Sequence, residues 1–392
     1  MPDLPDLRLT GARVLLQGRL EDAALTLSAG RIVDGPAPEI DLAGYWLLPG
    51  IIDLHGDGFE RHLRPRPTAP FPRAQALASV DAELAVNGIT TAWLAQSWSW
   101  EGGMRSGEEA EALIAAVAEL RADLLADIRV QVRYETHLLE DHDRLLAAVG
   151  AHGVDYVVFN DHLPEALALA DTRPDRFAVW AGSNGNTSES LMAIVRTAAA
   201  EAHRVPAALA QLAARLQAAG VALGSHDDPT AEVRAFHRRL GARICEFPTT
   251  RAAAEGARAA GEPVLMGAPN VVRGGSQAGN IPAMELIEDG LCDGLVSDYH
   301  YPSLAQAAWT IADQRAAGFA AAWRLVSGGP AAVMGLDDRG GLERGARADL
   351  VVMNPATRRI EGCFGRGRLT HLSGALAGRF LTAGQGRALA AE

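Results

Sequence analysis

The sequence contains no lysine, so all 36 of its basic residues are arginine. Neither a lysine Schiff base nor a carboxylated-lysine metal ligand can therefore form in this chain. Acidic residues outnumber the arginines, and the formal net charge at pH 7 is −12. A surface of this sign disfavours general binding to nucleic acid or to anionic membranes, although grouped arginines could still hold the phosphate oxygens of a small molecule.

Cysteine is also scarce, and Cys245, Cys292 and Cys363 are odd in number and widely spaced. This pattern indicates reduced thiols in a cytoplasmic protein rather than a disulfide framework. No apolar run is long enough to cross a bilayer, and the N-terminus lacks the basic and apolar regions of a secretory signal. We therefore expect a cytoplasmic protein that binds neither membrane nor nucleic acid; a homo-oligomer is compatible with the sequence.

The 392 residues exceed the usual size of one domain. Residues 1–49 and 339–392 contain short β-like runs broken by glycines, and neither piece could stand alone. We predict that they form one small, discontinuous β-sandwich around a central domain, residues 50–338. In that domain short apolar strands alternate with helical stretches. The eight predicted strands are Gly50–Leu54, Ile89–Ala95, Ile128–Tyr134, Val154–Phe159, Val221–Ser225, Arg243–Phe247, Pro263–Gly267 and Gly294–Ser297.

Strict alternation of strand and helix implies a parallel sheet, and eight units favour a closed (β/α)8 TIM-like barrel of the α/β class. The alternative is an open, doubly wound sheet, but no Gly-x-Gly-x-x-Gly sequence follows the first strand to support it.

Polar side chains follow most of the predicted strands, where such a barrel gathers its chemistry. Taken singly, a histidine there is an ordinary hydrogen-bonding group and an aspartate an ordinary helix cap. Their concentration on one rim instead predicts a site for a divalent metal such as zinc, manganese or iron. The strand-end groups are His55 and Asp57, Glu135, His162, His226 and Asp227, Glu246, and Asp298.

The run Pro49–Asp57 resembles the amidohydrolase superfamily, as does the later run Gly345–Leu350. Further motifs resemble one branch of that superfamily, which hydrolyses alpha-D-ribose 1-methylphosphonate 5-triphosphate to the 5-phosphate and diphosphate in phosphonate catabolism. These motifs are Glu60–His62, Ser225–Asp228, Glu246–Thr250, Met266–Asn270, Arg273–Ser276, Gly279–Asn280 and Ser297–Tyr299. The resemblance implies a metal-dependent hydrolase that cleaves a phosphoric anhydride in a small phosphorylated substrate.

The resemblance also implies a set of ligands for two divalent ions. They are His55, Asp57, Glu135, His162, His226 and Asp298. Many superfamily members bridge their ions with a carboxylated lysine, which this chain lacks, so Glu135 is the expected bridging carboxylate. Glu246 and Asp227 are either ligands or groups that hold the ligands in place. Asp298 is expected to be catalytic, accepting a proton from the attacking water.

Cations are needed to neutralise the charge that develops on phosphorus. The candidate phosphate-binding residues are Arg61, His62, Arg64, Arg66, Arg273 and Ser276. Arg273 is the strongest of these candidates, because the Gly-Gly-Ser turn after it could present free backbone N–H groups to an anion.

Residues 163–200 depart from the pattern of the branch, and we expect them to form a loop over the pocket that helps to select the substrate. Two other functions remain alternatives. One is an amidohydrolase that acts on a cyclic amide or an N-acyl small molecule. The other is a non-catalytic binding protein on a barrel scaffold, which would bind little or no metal.

Overall fold

The computed structural model describes residues 6–66, 68–276, 278–314 and 318–390, so the outermost parts of the two terminal segments, 1–5 and 391–392, lie outside the described residues. The strands are β1 Leu7–Thr10, β2 Arg13–Leu16, β3 Arg19–Asp22, β4 Leu25–Ser28, β5 Arg31–Val33, β6 Glu39–Asp41, β7 Trp46–Pro49, β8 Ile51–Gly56, β9 Ile89–Trp98, β10 Asp127–Glu135, β11 Tyr156–Asn160, β12 Ala222–His226, β13 Ile244–Glu246, β14 Val264–Gly267, β15 Gly294–Val296, β16 Leu350–Asn354, β17 Arg359–Gly365 and β18 Arg368–Leu372. The helices are α1 Glu60–Leu63, α2 Arg73–Val86, α3 Gly107–Leu120, α4 His142–His152, α5 Leu163–Thr172, α6 Pro174–Ser183, α7 Ser188–Glu201, α8 Val205–Ala218, α9 Ala231–Arg239, α10 Arg251–Ala259, α11 Ala268–Arg273, α12 Ala283–Glu288, α13 Ser303–Gln314, α14 Gly318–Arg324, α15 Gly328–Val333 and α16 Gly374–Ala390.

Strands β8 to β15 form one parallel sheet in which each strand pairs with the next along the chain. A parallel bridge between Gly56 and Asp298 brings the two ends of this sheet together, so the barrel is nearly closed. Side chains at alternate strand positions, among them Ile52, Leu54 and Trp93, pack in one apolar cluster, and a larger cluster lies between the strands and the helices. The predicted (β/α)8 barrel is confirmed.

Two further sheets lie outside the barrel: the first has strands from both ends of the chain, and the second is built from strands of the N-terminal segment. One has the order β18-β17-β16-β7-β2-β3 and the other the order β5-β4-β1-β6, and they share an apolar core. The boundaries 1–49, 50–338 and 339–392 stay a prediction. Gly11 lies between β1 and β2 with a φ of +75°. A side chain is disfavoured there, because a Cβ would lie 2.4 Å from Asp41 Oδ1.

The expectation of a loop over residues 163–200 is wrong, because this segment forms the helices α5, α6 and α7. Apolar side chains at helical spacing explain the difference: Leu191, Val195 and Ala198 of α7 pack with Phe177 of α6 and with Trp100. None of the described helices is long and apolar enough to span a membrane.

Candidate functional site

A cavity of about 310 Å³ opens at the carboxyl ends of the barrel strands. Eight of the side chains suggested by the sequence line it: His55, Asp57, His162, His226, Asp227, Arg273, Ser276 and Asp298. Glu135 and Glu246 are buried beneath the cavity and reach it through their contacts with histidines. Residues from seven separate elements of the sequence are thus brought to one place by the closure of the barrel.

His55 is held by a buried carboxylate. Its Nδ1 lies 2.9 Å from Glu246 Oε2, and both side chains are almost wholly excluded from solvent. Glu246 Oε1 accepts hydrogen bonds from the Tyr156 hydroxyl and from Gln131 Nε2, each at 2.6 Å. Burial alone would raise the pKa of Glu246, but the charge and hydrogen bond of His55 lower it below its usual range. An ionised Glu246 accepts a hydrogen bond from the N–H at Nδ1 of His55. The other ring nitrogen, Nε2, then carries the lone pair that can bind a metal ion.

His226 is a second buried imidazole beside this pair, and its ring centre lies 5.3 Å from that of His55. Nδ1 of His226 lies 3.1 Å from Asp227 Oδ2 but has no aligned hydrogen-bond partner among the described residues. Burial lowers the pKa of His226. A neutral imidazole with an unsatisfied nitrogen is suited to bind a metal ion.

Glu135 and His162 form a second group of donors. Glu135 ends β10, and His162 lies two residues after the end of the neighbouring strand β11. Glu135 Oε1 lies 2.6 Å from His162 Nδ1. Asn160 Nδ2 donates to the same oxygen at 2.7 Å, and the backbone N–H of His162 donates to Oε2. Burial alone would lower the pKa of His162, but the Glu135 carboxylate raises it.

Asp57 and Asp298 meet where the barrel closes. The backbone N–H of Asp57 donates to the carbonyl of Asp298, and the N–H of Asp298 donates to the carbonyl of His55, both at 2.9 Å. Burial, followed by repulsion from Asp57, raises the pKa of Asp298 to about 6. Asp298 has a φ of +54°, and Asp227 has +57°, so both carboxylates are held by strained backbone of the kind found at functional sites.

Gly56 lets these strands approach one another. A Cβ at this position would lie 2.7 Å from Asp53 Oδ2 and 2.8 Å from Ser297 Oγ. Asp53 is fully buried and accepts hydrogen bonds from the N–H of Ser297 at 2.9 Å and from its hydroxyl at 2.5 Å. Asp53 therefore fastens β8 to β15 and fixes the positions of the residues that follow both strands.

The candidate phosphate-binding residues separate into two groups. Arg273 and Ser276 line the cavity, and Arg273 donates to the Tyr299 hydroxyl at 3.2 Å. Arg61 and His62 instead contact Glu83 of α2. Arg64 and Arg66 do not line the cavity either; Arg64 faces a separate hollow beside Phe71.

Two arginines that are not among the predicted site residues, Arg105 and Arg133, also line the cavity. Strand β10 held a signal for one of them, since Gln131, Arg133 and Glu135 are alternate residues and share the face that ends in a suspected ligand. The sequence gives no comparable signal for Arg105, which lies in a short 3-10 turn before α3.

The donor set fits a divalent metal centre. Side chains of His55, His226 and Glu246 offer ligand atoms within 4.8 Å of one another, and so do those of Glu101, Glu135 and His162. Neutral imidazoles and ionised carboxylates are the ligands that zinc and related metals take in hydrolases.

The Amidohydrolase family model matches residues 67–362, about three quarters of the chain. The chain belongs to the amidohydrolase family. Metal dependence is general in this family. The chain is also 36% identical over 362 residues to the alpha-D-ribose 1-methylphosphonate 5-triphosphate diphosphatase of Escherichia coli (strain K12), and the match covers 88% of this amidohydrolase and 94% of the relative.

Solved structures share the fold of this amidohydrolase at low identity. A mutant atrazine chlorohydrolase from Arthrobacter aurescens TC1, complexed with zinc and atraton, matches with a TM-score of 0.63 at 14% identity over 97% of this chain and 99% of the other. Dihydropyrimidinase from Brevibacillus agri NCHU1002 matches with a TM-score of 0.59 at 12% identity over 95% and 97% of the two chains. At such identities the likeness concerns the fold alone.

Proposed function

We propose that this amidohydrolase hydrolyses alpha-D-ribose 1-methylphosphonate 5-triphosphate to the 5-phosphate and diphosphate, with divalent metal ions. The observation that carries the proposal is that the metal-type donors share one cavity with three arginines, Arg105, Arg133 and Arg273. A triphosphate supplies many acceptor oxygens for guanidinium groups, whereas a neutral amide supplies few and carries no charge to match theirs. The substrate named for the 36% identical relative supports the same conclusion.

The chain's own residues divide the work as follows. Zinc, manganese or iron ions, when bound, would lower the pKa of a bound water towards ~7 and neutralise phosphate charge. The residues that would hold them are His55, Asp57, Glu135, His162, His226 and Asp298. Glu246 would orient His55, and Asp227 would lie beside His226.

We assign to Asp298 the acceptance of a proton from the attacking water; the position of its carboxyl group in the cavity lining, next to Asp57, supports this role. As the water oxygen bonds to phosphorus, the anhydride P–O bond breaks and diphosphate leaves. The arginines of the cavity would hold the charge that develops on the phosphoryl oxygens.

The test is to incubate the metal-loaded protein with the triphosphate and to follow diphosphate by phosphorus NMR. Cyclic amides and N-acyl amino acids are tested in parallel. Asp298→Asn should lower the rate of diphosphate release roughly 100- to 10 000-fold while elemental analysis shows the metal content largely retained. Full turnover by Asp298→Asn would refute its assigned role.

The same assay separates the alternatives. Release of an amine or a carboxylate from the amides, without release of diphosphate from the triphosphate, would support an amide hydrolase. Elemental analysis that finds no metal in the purified protein would favour a non-catalytic binding protein.

A further inference from the structure

Arg133 is a buried cation in the wall of the cavity. On β10, the neighbouring positions of the same face are Gln131, which donates to Glu246, and Glu135, which contacts His162. Arg133 therefore lies between Gln131, which contacts the His55–His226–Glu246 group, and Glu135, which belongs to the group that contains His162. The side chain of Arg133 is only 9% exposed.

The guanidinium group of Arg133 is incompletely satisfied by the described protein. Its nearest carboxylate oxygen is Asp57 Oδ2, at 3.8 Å, which is too long for a hydrogen bond. Its Nε is buried and has no hydrogen-bond partner among the described residues. A buried cation of this kind is costly unless an anion supplies the missing acceptors.

Arg105 presents a second guanidinium group to the same cavity, and its direction is fixed. Both oxygens of Glu101, which is 1% exposed, accept from Arg105 Nη1 at 3.3 and 3.2 Å. Glu101 in turn accepts hydrogen bonds from Ser99, from Trp180 of α6 and from Asn184. With its oxygens occupied in this way, Glu101 holds Arg105 in position.

Asp57 connects the two arginines electrostatically, since its charge acts on both of them. The charges of Glu60, Asp227 and Asp298 also act on Arg133, but Asp57 is the nearest carboxylate. If Asp57 turns towards a metal ion, Arg133 loses part of this nearest countercharge. An anion that bridges the metal-type donors and the two arginines would restore the balance. Two guanidinium groups offer the planar, multiple N–H donors that suit the oxygens of a phosphoryl group.

We propose that Arg133 and Arg105 form a subsite for the phosphoryl group that lies against Asp57, and that this subsite makes the cavity select phosphorylated over neutral substrates. The identity of the natural ligand rests on the proposed function, but the affinity of the subsite for a phosphate oxyanion does not. Helix α6 contributes, because Trp180 and the C-cap residue Asn184 donate to Glu101, which in turn holds Arg105.

The test uses inorganic phosphate as the probe, titrated by calorimetry into the metal-loaded full-length protein. Arg133→Met should weaken phosphate binding at least about 10-fold, since a buried charge partner is lost, and Arg105→Met should weaken it in the same direction. Arg215→Met is the matched control: Arg215 is an exposed arginine paired with Asp143, and its removal changes the net charge equally. Elemental analysis of each variant should show unchanged metal content, which separates loss of the subsite from loss of the metal.

Phosphate affinity of Arg133→Met within about twofold of the control would overturn the proposal. If Arg133→Met does not fold, Arg133→Lys decides the matter, because lysine keeps the charge but cannot form paired hydrogen bonds; affinity equal to that of the control would again contradict the subsite. If the unchanged protein releases no diphosphate but binds phosphate through Arg133, the proposed function fails and the subsite stands. If the unchanged protein releases diphosphate but Arg133→Met binds phosphate as tightly as the control, the proposed function stands and only the subsite is refuted.

Discussion

Replacement of Glu246 by glutamine should weaken metal binding through the tautomer of His55. Glu246 receives donors on both oxygens: Tyr156 and Gln131 on Oε1, and His55 on Oε2. A glutamine carbonyl can keep only one of these oxygen positions. If it keeps the two donors on Oε1, its NH2 group faces His55 Nδ1 and places the ring proton on Nε2, where it blocks metal binding.

Loss of such an orienting carboxylate lowers metal affinity about 10- to 100-fold. At 25 °C this corresponds to about 1.4–2.7 kcal/mol of binding free energy. The assay is competition for zinc or manganese between the protein and a chromophoric chelator, with the fold checked by thermal unfolding.

Glu361 supplies the matched control, because it is also a buried carboxylate that accepts from a tyrosine and an amide, here Tyr45 and Asn354 at 2.8 Å each. Glu361→Gln should lower the free energy of unfolding by about 1–3 kcal/mol and leave metal affinity unchanged. If Glu246→Gln folds and binds metal as tightly as the unchanged protein, the role given to the Glu246–His55 pair is wrong.

Three further results are expected. Gly56→Ala should lower the free energy of unfolding by about 1–3 kcal/mol in urea titrations, because the added Cβ would strike Asp53; a neutral effect would contradict the packing at the barrel seam. Burial would raise the pKa of Asp127, but Arg129 and Arg339 hold it well below its usual range. The contribution of Asp127 to the free energy of unfolding is therefore complete above pH ~4 and is lost as pH falls through the lowered pKa. Asp127→Asn should therefore cost about 3 kcal/mol at pH 7, and the difference from the unchanged protein should shrink at pH 3; a constant difference would argue against the ion pairs as its source. Removal of metal by a chelator should abolish diphosphate release and lower the melting temperature, and zinc, manganese or iron should restore both; activity that survives exhaustive chelation would exclude the metal-dependent reaction.

The barrel could be predicted from the sequence because its signal is local. Each strand is a short apolar run between helical stretches. Once the first barrel strand is located, the sequence shows that His55 and Asp57 lie at its carboxyl end. Residues 163–200 were predicted as a loop, but they form helices that are stabilised by packing against one another and against Trp100. Apolar residues recur at helical spacing in this segment, but short helices are stable only when their apolar faces pack against another surface.

The arginines show most clearly where sequence reasoning stopped. Arg61 and His62 follow the His-Gly-Asp run closely, yet Glu83 on a neighbouring helix pairs with both of them. Arg133 carried no motif, yet the alternation of β10 turns it into the cavity.

The sequence by itself determined the strand order, the strand-end donors and the exclusion of a lysine ligand, since these follow from composition and from periodicity along the chain. Only the tertiary structure decided which charges face the cavity and which are neutralised by neighbours. The reason is physical: a side chain's partner is whichever opposite charge the packing of distant elements brings within about 3–4 Å, and no spacing along the chain encodes that distance.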